Sequence, residues 1–182
     1  KYKNKKKLTV GIIAAYRQNK GYKDLFHIAN NLKKENIIFK CFGYGSKQVY
    51  EKKILKMGLN EKIKLFNFKK NIEMYITEFD ILLHPSYREG LPISVLQTLY
   101  HKVPVIGRNI RGLYDLVKNK KYGYLVDKNF ITKVSNLLKM LTYKRNILLK
   151  FKKNISKIDF KKYSKKKISI QINKILKINY EV

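Results

Sequence analysis

The chain has 182 residues, which is enough for one domain with its own hydrophobic core and excludes a small scaffold that depends on disulfides. Hydrophobic residues make up 45% of it and aromatic residues 13%, which excludes a disordered polypeptide. Its 42 Lys and Arg against 12 Asp and Glu give a formal net charge of +30, which excludes an acidic solvating domain. The charge suits polyanionic partners, but most of it is lysine spread along the whole chain, so a solvated surface explains it equally well.

Short apolar runs alternate with helical patterns along the chain. The apolar runs predict strands over residues 8–14, 37–42, 63–66, 80–84, 103–107 and 123–126. Helical periodicity predicts helices around 25–32, 47–57, 72–79, 92–100, 112–117, 129–139, 144–152 and 162–178. This alternation predicts an α/β fold, a doubly wound parallel sheet of the Rossmann-like kind, in which ligands bind at the carboxyl ends of the strands. We expect one such domain over residues 1–182, with basic helices from about residue 129 to residue 182.

The N-terminal part has a second interpretation. Residues 1–7 are basic and residues 8–16 apolar, which is also the pattern of a signal peptide, but the apolar run is short and a buried strand explains it better. No run reaches the roughly 18 apolar residues of a membrane-spanning helix.

The single cysteine, Cys41, lies in an apolar run and predicts a buried, inert thiol in a reducing, cytoplasmic compartment. The chain begins at Lys1 without a methionine, which is consistent with a piece of a longer protein.

The most informative segment follows the fourth predicted strand and opens the next helix. It runs from Pro85 through Ser86 and Glu89-Gly90 to Pro92. Unpaired amides and the positive end of the helix dipole make such a helix start a seat for phosphate, and a glycine lets the backbone approach a ligand closely. Glu89 would accept hydrogen bonds from sugar hydroxyls. The alternative is a capped helix with a solvated glutamate.

This segment and its surroundings resemble the donor-binding half of retaining GT-B glycosyltransferases of the GT4 type, also called group 1. The hallmark of that family is a Glu, seven residues and a second Glu, then a Pro-Val strand, a Gly-rich turn with an acid, and a Gly-x-Leu-Val strand. The matching segments, in chain order, are Lys20-Gly21, Gly43-Tyr44-Gly45, Pro85-Ser86, Glu89, Pro104-Val105-Ile106, Asp115 and Gly123-Tyr124-Leu125-Val126. The resemblance covers about residues 8–127 and depends on the order and spacing of these motifs more than on any one of them.

The resemblance implies a nucleotide-diphospho-sugar as donor, from which a hexose passes to a glycan or lipid-linked acceptor in surface polysaccharide synthesis. It implies Glu89 as the catalytic residue, in contact with hydroxyls of the donor hexose, and Gln97 as the residue on the ribose. The other donor-binding residues that it implies are Lys20, Arg17, Ser86, Arg88, Gly90 and Leu91. Arg88 is equally well explained as surface charge and Asp115 as a helix cap, and His84 either lines the cleft or acts behind it.

The sequence departs from the family pattern at three positions. Gln97 replaces the second Glu, so an amide, which accepts with one atom and donates with the other, stands in place of a carboxylate. Ala15 stands where the family has an Arg five residues before the Lys, and Arg17 is the nearest substitute. Lys102 stands where a Gly commonly ends the helix, which removes an easy left-handed cap. The first two departures leave the choice of donor and catalytic competence open.

The resemblance also implies what this chain lacks. A complete GT-B enzyme has two Rossmann-like domains with the acceptor between them, and 182 residues suffice for only the second. We therefore expect the N-terminal acceptor domain to be missing and the chain to bind a donor without transferring the sugar alone. The sequence has no Asp-x-Asp, no His-Glu-x-x-His and no cysteine cluster, so we predict no metal and no cofactor. The charge predicts weak peripheral attraction to the anionic inner face of the plasma membrane.

Three other functions stay open. The first is a sugar-nucleotide epimerase half, which shares the fold and the phosphate site. The second is a degenerate, non-catalytic interaction domain, which Ala15 and Gln97 favour. The third is a basic nucleic-acid-binding module. We expect no specific binding of nucleic acid, because the aromatic residues follow the periodicity of a hydrophobic core and not that of a basic surface on which bases stack.

Overall fold

The computed structural model describes residues 7–163 of the chain. In that part, six strands form one sheet: β1 (Leu8–Ile13), β2 (Ile37–Gly43), β3 (Ile63–Asn67), β4 (Ile81–His84), β5 (Val105–Arg108) and β6 (Gly123–Val126). The α-helices are α1 (Tyr22–Asn31), α2 (Gln48–Lys56), α3 (Glu73–Ile76), α4 (Ile93–Tyr100), α5 (Leu113–Leu116), α6 (Phe130–Tyr143) and α7 (Asn146–Ile155). Short 3-10 turns lie at Gln18–Lys20 and Phe160–Tyr163.

The sheet is parallel throughout, with the strand order β3-β2-β1-β4-β5-β6. The chain runs outward from β1 to β3, returns to the centre, and then runs outward on the other side from β4 to β6. The reversal places a topological switch point between β1 and β4, where the loops that follow these two strands diverge and leave a crevice. This is the doubly wound, Rossmann-like fold that the alternation of strands and helices predicted.

Two hydrophobic clusters cover the two faces of the sheet. Helices α1, α2 and α6 contribute to one cluster, and α3, α4 and α5 to the other, while α7 contributes to both. Successive strand residues serve opposite faces, as in β4, where Leu82 belongs to the second cluster and Leu83 to the first. Burial on both faces explains why the central strands read as continuous apolar runs in the sequence.

The observed element boundaries differ from the predicted ones for local reasons. Helix α3 is a single turn rather than an eight-residue helix, because the amides of Glu78 and Phe79 bond to carbonyls three residues back instead of four. Strand β5 begins at Val105 rather than at residue 103, because Pro104 has no amide to donate to the ladder. The predicted helix over residues 162–178 falls almost entirely outside the described residues.

The structure also shows the surroundings of Cys41, the backbone conformation of Lys102 and the character of the helices. Cys41 is fully buried in β2, and burial raises the pKa of its thiol, as expected for an inert core cysteine. Lys102 has a φ of +60°, so the chain adopts the left-handed cap after α4 without the glycine that suits it. Among residues 7–163, no helix combines the length and the apolar character that a membrane crossing requires.

Candidate functional site

The loops that follow β1 and β4 lie against each other at the switch point. The Tyr87 amide donates to the Asn19 carbonyl oxygen at 3.0 Å. Gly21 has a φ of +75°, and a Cβ there would lie 2.3 Å from the Pro85 carbonyl oxygen, so only glycine permits this approach. The contact brings Lys20, the last residue of the 3-10 turn, beside the loop that carries Glu89.

Glu89 is the centre of the polar cluster in this crevice. Lys20 Nζ donates to Glu89 Oε1 at 2.8 Å, and His84 Nε2 lies 3.0 Å from the same oxygen. The Glu89 side chain is 13% exposed and that of Lys20 is 22% exposed, so the pair is shielded but reachable from solvent. His84 itself is buried, so it supports Glu89 from behind rather than lining the cleft.

The electrostatics of the cluster keep Glu89 ionised. Burial by itself would raise the pKa of its carboxyl, but hydrogen bonding from His84 and Lys20, together with the nearby Ser86 hydroxyl, lowers the pKa to about 2. At neutral pH the group is therefore an acceptor of hydrogen bonds and not a proton donor.

Ser86 lies beside this carboxylate. Its side chain is fully buried, and its hydroxyl is one of the groups that lower the pKa of Glu89. Within the described part of the chain this hydroxyl has no other hydrogen-bond partner, so it serves Glu89 alone.

An open pocket of about 510 Å³ lies beside the cluster, and its lining residues are Tyr87, Arg88, Glu89, Gly90, Ile110 and Arg111. A Cβ built at Gly90 would meet no atom within 4 Å, so the fold itself does not require glycine there. The opposite is true of Gly112, which has a φ of +82° and whose Cβ would lie 1.7 Å from the Gly90 carbonyl oxygen. The Gly90 backbone is thus held by the β5–α5 loop on one side and open on another.

A second cluster, which the sequence analysis missed, holds the Pro85–Tyr87 part of this loop. The Arg108 guanidinium forms an ion pair with Asp24 of α1, and Arg108 Nε donates to the Pro85 carbonyl oxygen at 3.1 Å. Tyr87 donates its hydroxyl to Asp24 Oδ2 at 3.0 Å. The guanidinium also lies 4.5 Å from the Tyr87 ring centroid and 4.0 Å from that of Phe130. The available signal was the position of Arg108 at the carboxyl end of β5.

The structure separates the predicted site residues into two groups. Lys20, Ser86 and Glu89 meet at the switch point, and Arg88 and Gly90 line the adjoining pocket. Gln97 and Arg17 do not join them. Gln97 Nε2 donates to Glu73 Oε1 at 3.3 Å, and Gln97 lines a separate pocket of about 320 Å³. Arg17 is exposed, with its guanidinium 5.6 Å from the Tyr44 ring centroid. Leu91 follows Gly90 directly in the chain, and its side chain is exposed.

Asp115 lies at the start of α5. Asp115 Oδ2 accepts from the Gly112 amide at 3.2 Å, which is the helix-capping alternative for this residue. Over the described range, no three His, Cys, Asp or Glu side chains are grouped so as to hold a metal ion.

The fold and site define a class of protein. The six-stranded parallel sheet with its flanking helices matches the Rossmann-like domains of GT-B glycosyltransferases. Residues 1–158 match the family "Glycosyl transferases group 1", and the chain belongs to this family. The family membership confirms the resemblance that the sequence motifs indicated.

Solved structures and curated relatives agree with this assignment. The fold is shared with Staphylococcus aureus TarM, which was solved as a point mutant with fondaparinux, α-GlcNAc-glycerol and UDP. The TM-score is 0.84 and the sequence identity 23%, and the match covers 96% of this chain and 36% of TarM. It is also shared with the C-terminal domain of LpcC, a glycosyl transferase group 1 family protein from Francisella tularensis, at a TM-score of 0.75 and 22% identity, over 87% of each chain. The Escherichia coli UDP-Gal:alpha-D-GlcNAc-diphosphoundecaprenol alpha-1,3-galactosyltransferase is 31% identical over 86 residues, which are 47% of this chain and 22% of that enzyme. The matches to curated relatives cover between 22% and 40% of their lengths.

Proposed function

We propose that this chain is the donor-binding domain of a retaining glycosyltransferase and that it binds a nucleotide-diphospho-sugar at the switch point. In the whole enzyme the hexose then passes to a glycan or lipid-linked acceptor, in the synthesis of a surface polysaccharide. The observation that carries this proposal is the meeting of Lys20 and Glu89, one cation and one anion from the loops after β1 and β4. A donor of this class has an anionic diphosphate and a neutral sugar with several hydroxyls, which such a pair complements.

Each group in the site has a separate role in this proposal. Lys20 binds the diphosphate as a point charge, and the amides of Gly90 and Leu91, in the loop before α4, donate to its oxygens. Arg88 lines the same pocket and offsets the remaining negative charge. Glu89, held ionised, accepts hydrogen bonds from hexose hydroxyls. As the bond to the sugar breaks, negative charge grows on the leaving diphosphate, and these fixed cationic groups and dipoles stabilise it.

We propose a uridine nucleotide as the donor. The support is that the Escherichia coli relative is named for UDP-Gal and that the TarM structure contains UDP. Gln97 is proposed to contact the ribose, with its amide turning from Glu73 to do so. Arg17 is proposed to reach the diphosphate from its exposed position after β1.

The acceptor is proposed to bind to a second, N-terminal domain. The matched regions cover at most 40% of the curated relatives, and the LpcC domain, a C-terminal domain by its description, matches this chain over 87% of both lengths. Transfer would need both domains, because the acceptor must reach the anomeric carbon that this domain presents.

We also propose that the enzyme works at the cytoplasmic face of the plasma membrane, in contact with anionic lipid. The support is the net charge and the outward side of α2, whose exposed residues include Val49, Lys52, Lys53, Leu55 and Lys56. Co-sedimentation with vesicles of phosphatidylglycerol tests this at moderate salt. Replacing Lys52, Lys53 and Lys56 by Gln should abolish binding, whereas replacing the exposed Lys118, Lys120 and Lys121 by Gln should not.

Calorimetric titration of the whole chain tests the donor site. The ligands are UDP, GDP, ADP and the matching sugar nucleotides at moderate salt. We expect saturable binding of uridine nucleotides, weakened at least tenfold by Lys20→Ala and unchanged by Lys23→Ala, an exposed lysine of α1. Glu89→Ala should lower the preference of the site for the sugar nucleotide over UDP. Failure of the wild-type chain to bind any of these nucleotides would overturn the proposal.

A further inference from the structure

The Lys20 ammonium, which the proposed function assigns to the diphosphate, already has an anionic partner in the free site. Its Nζ lies 2.8 Å from Glu89 Oε1, a distance typical of a charge-assisted hydrogen bond. The same oxygen is 3.0 Å from His84 Nε2. An incoming diphosphate therefore meets a lysine that is paired and a carboxylate that repels it.

We propose that Glu89 competes with the diphosphate for Lys20, and that the sugar of the intact donor removes this competition by hydrogen bonding to Glu89. The inference depends on the proposed function, and it adds a selectivity that the function alone does not require. The site would hold a sugar nucleotide more tightly than the nucleoside diphosphate that remains after transfer.

When Lys20 turns towards a diphosphate, Glu89 loses the hydrogen bond and the positive charge of the ammonium group. The carboxylate is 13% exposed, so water cannot fully replace the lost ammonium. A bare nucleoside diphosphate brings no hydroxyl to this position, and Glu89 keeps only His84 and the Ser86 hydroxyl while a second anion lies nearby. A donor hexose brings hydroxyl groups that donate to the carboxylate, so the intact donor replaces the hydrogen bond that it displaces.

One consequence concerns turnover. After transfer the sugar is gone, Glu89 loses its hydroxyl donors, and the ion pair with Lys20 forms again at the expense of the diphosphate. The product is thus expelled by the same carboxylate that held the substrate. Selection against product needs no movement of the backbone, only an exchange of partners by one lysine side chain.

The alternative is that Lys20 bridges the two anions. An ammonium group has three donors, and it can bind Glu89 and a phosphate oxygen together. In that case Glu89 orients Lys20 for the diphosphate, and removal of the carboxylate charge weakens UDP binding. The two arrangements thus predict opposite changes in UDP affinity for the same substitution.

The experiment is calorimetric titration of the full chain with UDP, inorganic pyrophosphate, UDP-Gal and UDP-glucose. The variants are Glu89→Gln, which keeps the shape and removes the charge, Lys20→Met, and Glu78→Gln as the matched control. Glu78 pairs with Lys40 at 2.6 Å and precedes β4, at the opposite edge of the sheet from the site. Thermal unfolding of each variant confirms that it is folded.

We expect Glu89→Gln to bind UDP and pyrophosphate roughly tenfold more tightly than the wild type, in line with the loss of one charged competitor. In Glu89→Gln the ratio of the affinity for the sugar nucleotide to that for UDP should fall to about one. Glu78→Gln should leave both affinities within about twofold of the wild type. Lys20→Met should weaken the binding of both ligands. Unchanged or weaker UDP binding by Glu89→Gln would overturn the inference and leave the donor site intact. Absence of nucleotide binding by the wild type would overturn the proposed function itself, and the inference with it.

Discussion

The Arg108 guanidinium and the Asp24 carboxylate form an ion pair that joins β5 to α1 beneath the loop that carries Glu89. Their side chains are 17% and 11% exposed, so neither charge is well solvated once the other is removed. Arg108 also donates to Pro85 and Asp24 accepts from Tyr87, so both residues hold the same loop. The pair therefore positions the site without lying in it.

We expect Arg108→Met to destabilise the domain by about 3 kcal/mol, because it leaves Asp24 buried without its cation. The Asp24→Asn and Arg108→Met double variant should lose clearly less than the sum of the two single losses. Urea denaturation of the four proteins measures this coupling. Additive losses would show that the two side chains act independently.

The two glycines of the candidate site predict contrasting effects. Gly90→Ala should change the free energy of unfolding by less than about 0.5 kcal/mol, because the new Cβ meets open space. It should nevertheless weaken sugar-nucleotide binding, since that space is where the proposed ligand approaches. Gly112→Ala should destabilise the domain by more than about 2 kcal/mol, because its Cβ collides with the Gly90 carbonyl and its φ is +82°.

Chemical denaturation and calorimetry on both variants separate these effects. A Gly90→Ala protein that binds the donor as tightly as the wild type would exclude a ligand contact at that backbone position.

Much of this arrangement could be predicted from the sequence, for a simple reason. The family resemblance placed Lys20 and Glu89 in one donor site, and the sheet explains why they meet: residues just after neighbouring parallel strands share one edge. The partner of Gln97 was not predictable in this way, because Glu73 reaches it only through the packing of α3 beside α4. The Asp24–Arg108 pair likewise joins residues 84 positions apart, and no local pattern links them.

Lys102 allows a test of the left-handed cap after α4, which lacks a glycine. Its φ of +60° is unfavourable for a residue with a Cβ and readily adopted by glycine. Lys102→Gly should stabilise the domain by about 0.5–1 kcal/mol. The control is Lys133→Gly, an exposed position inside α6, which should destabilise it by about 1 kcal/mol. Thermal unfolding compares the two, and a loss of stability in both would contradict the cap.

Glu89 gives a pH dependence with a definite sign. Its pKa in the folded chain is lowered from 4.5 to about 2, so the unfolded chain binds more protons between these values. The stabilisation from Glu89 is present above about pH 4.5 and is lost as the pH falls towards 2. We expect the wild type to exceed Glu89→Gln in stability by about 2–3 kcal/mol at about pH 6 and by much less at about pH 2. Urea denaturation across this range measures the gap, and a gap that does not narrow would contradict the lowered pKa.

Gln97 occupies the position where the family has a second glutamate, and its neighbour explains why an amide suits this chain. Gln97 Nε2 donates to Glu73 Oε1 at 3.3 Å, so a carboxylate at position 97 would face another carboxylate. We expect Gln97→Glu to destabilise the domain by about 1 kcal/mol at about pH 7, because it places two like charges side by side. Adding Glu73→Gln should restore the stability, because it re-forms an amide–carboxylate pair with the roles exchanged. Full stability of the single variant at neutral pH would mean that Glu73 does not select the amide, and the departure at position 97 would then have to be explained by the ligand.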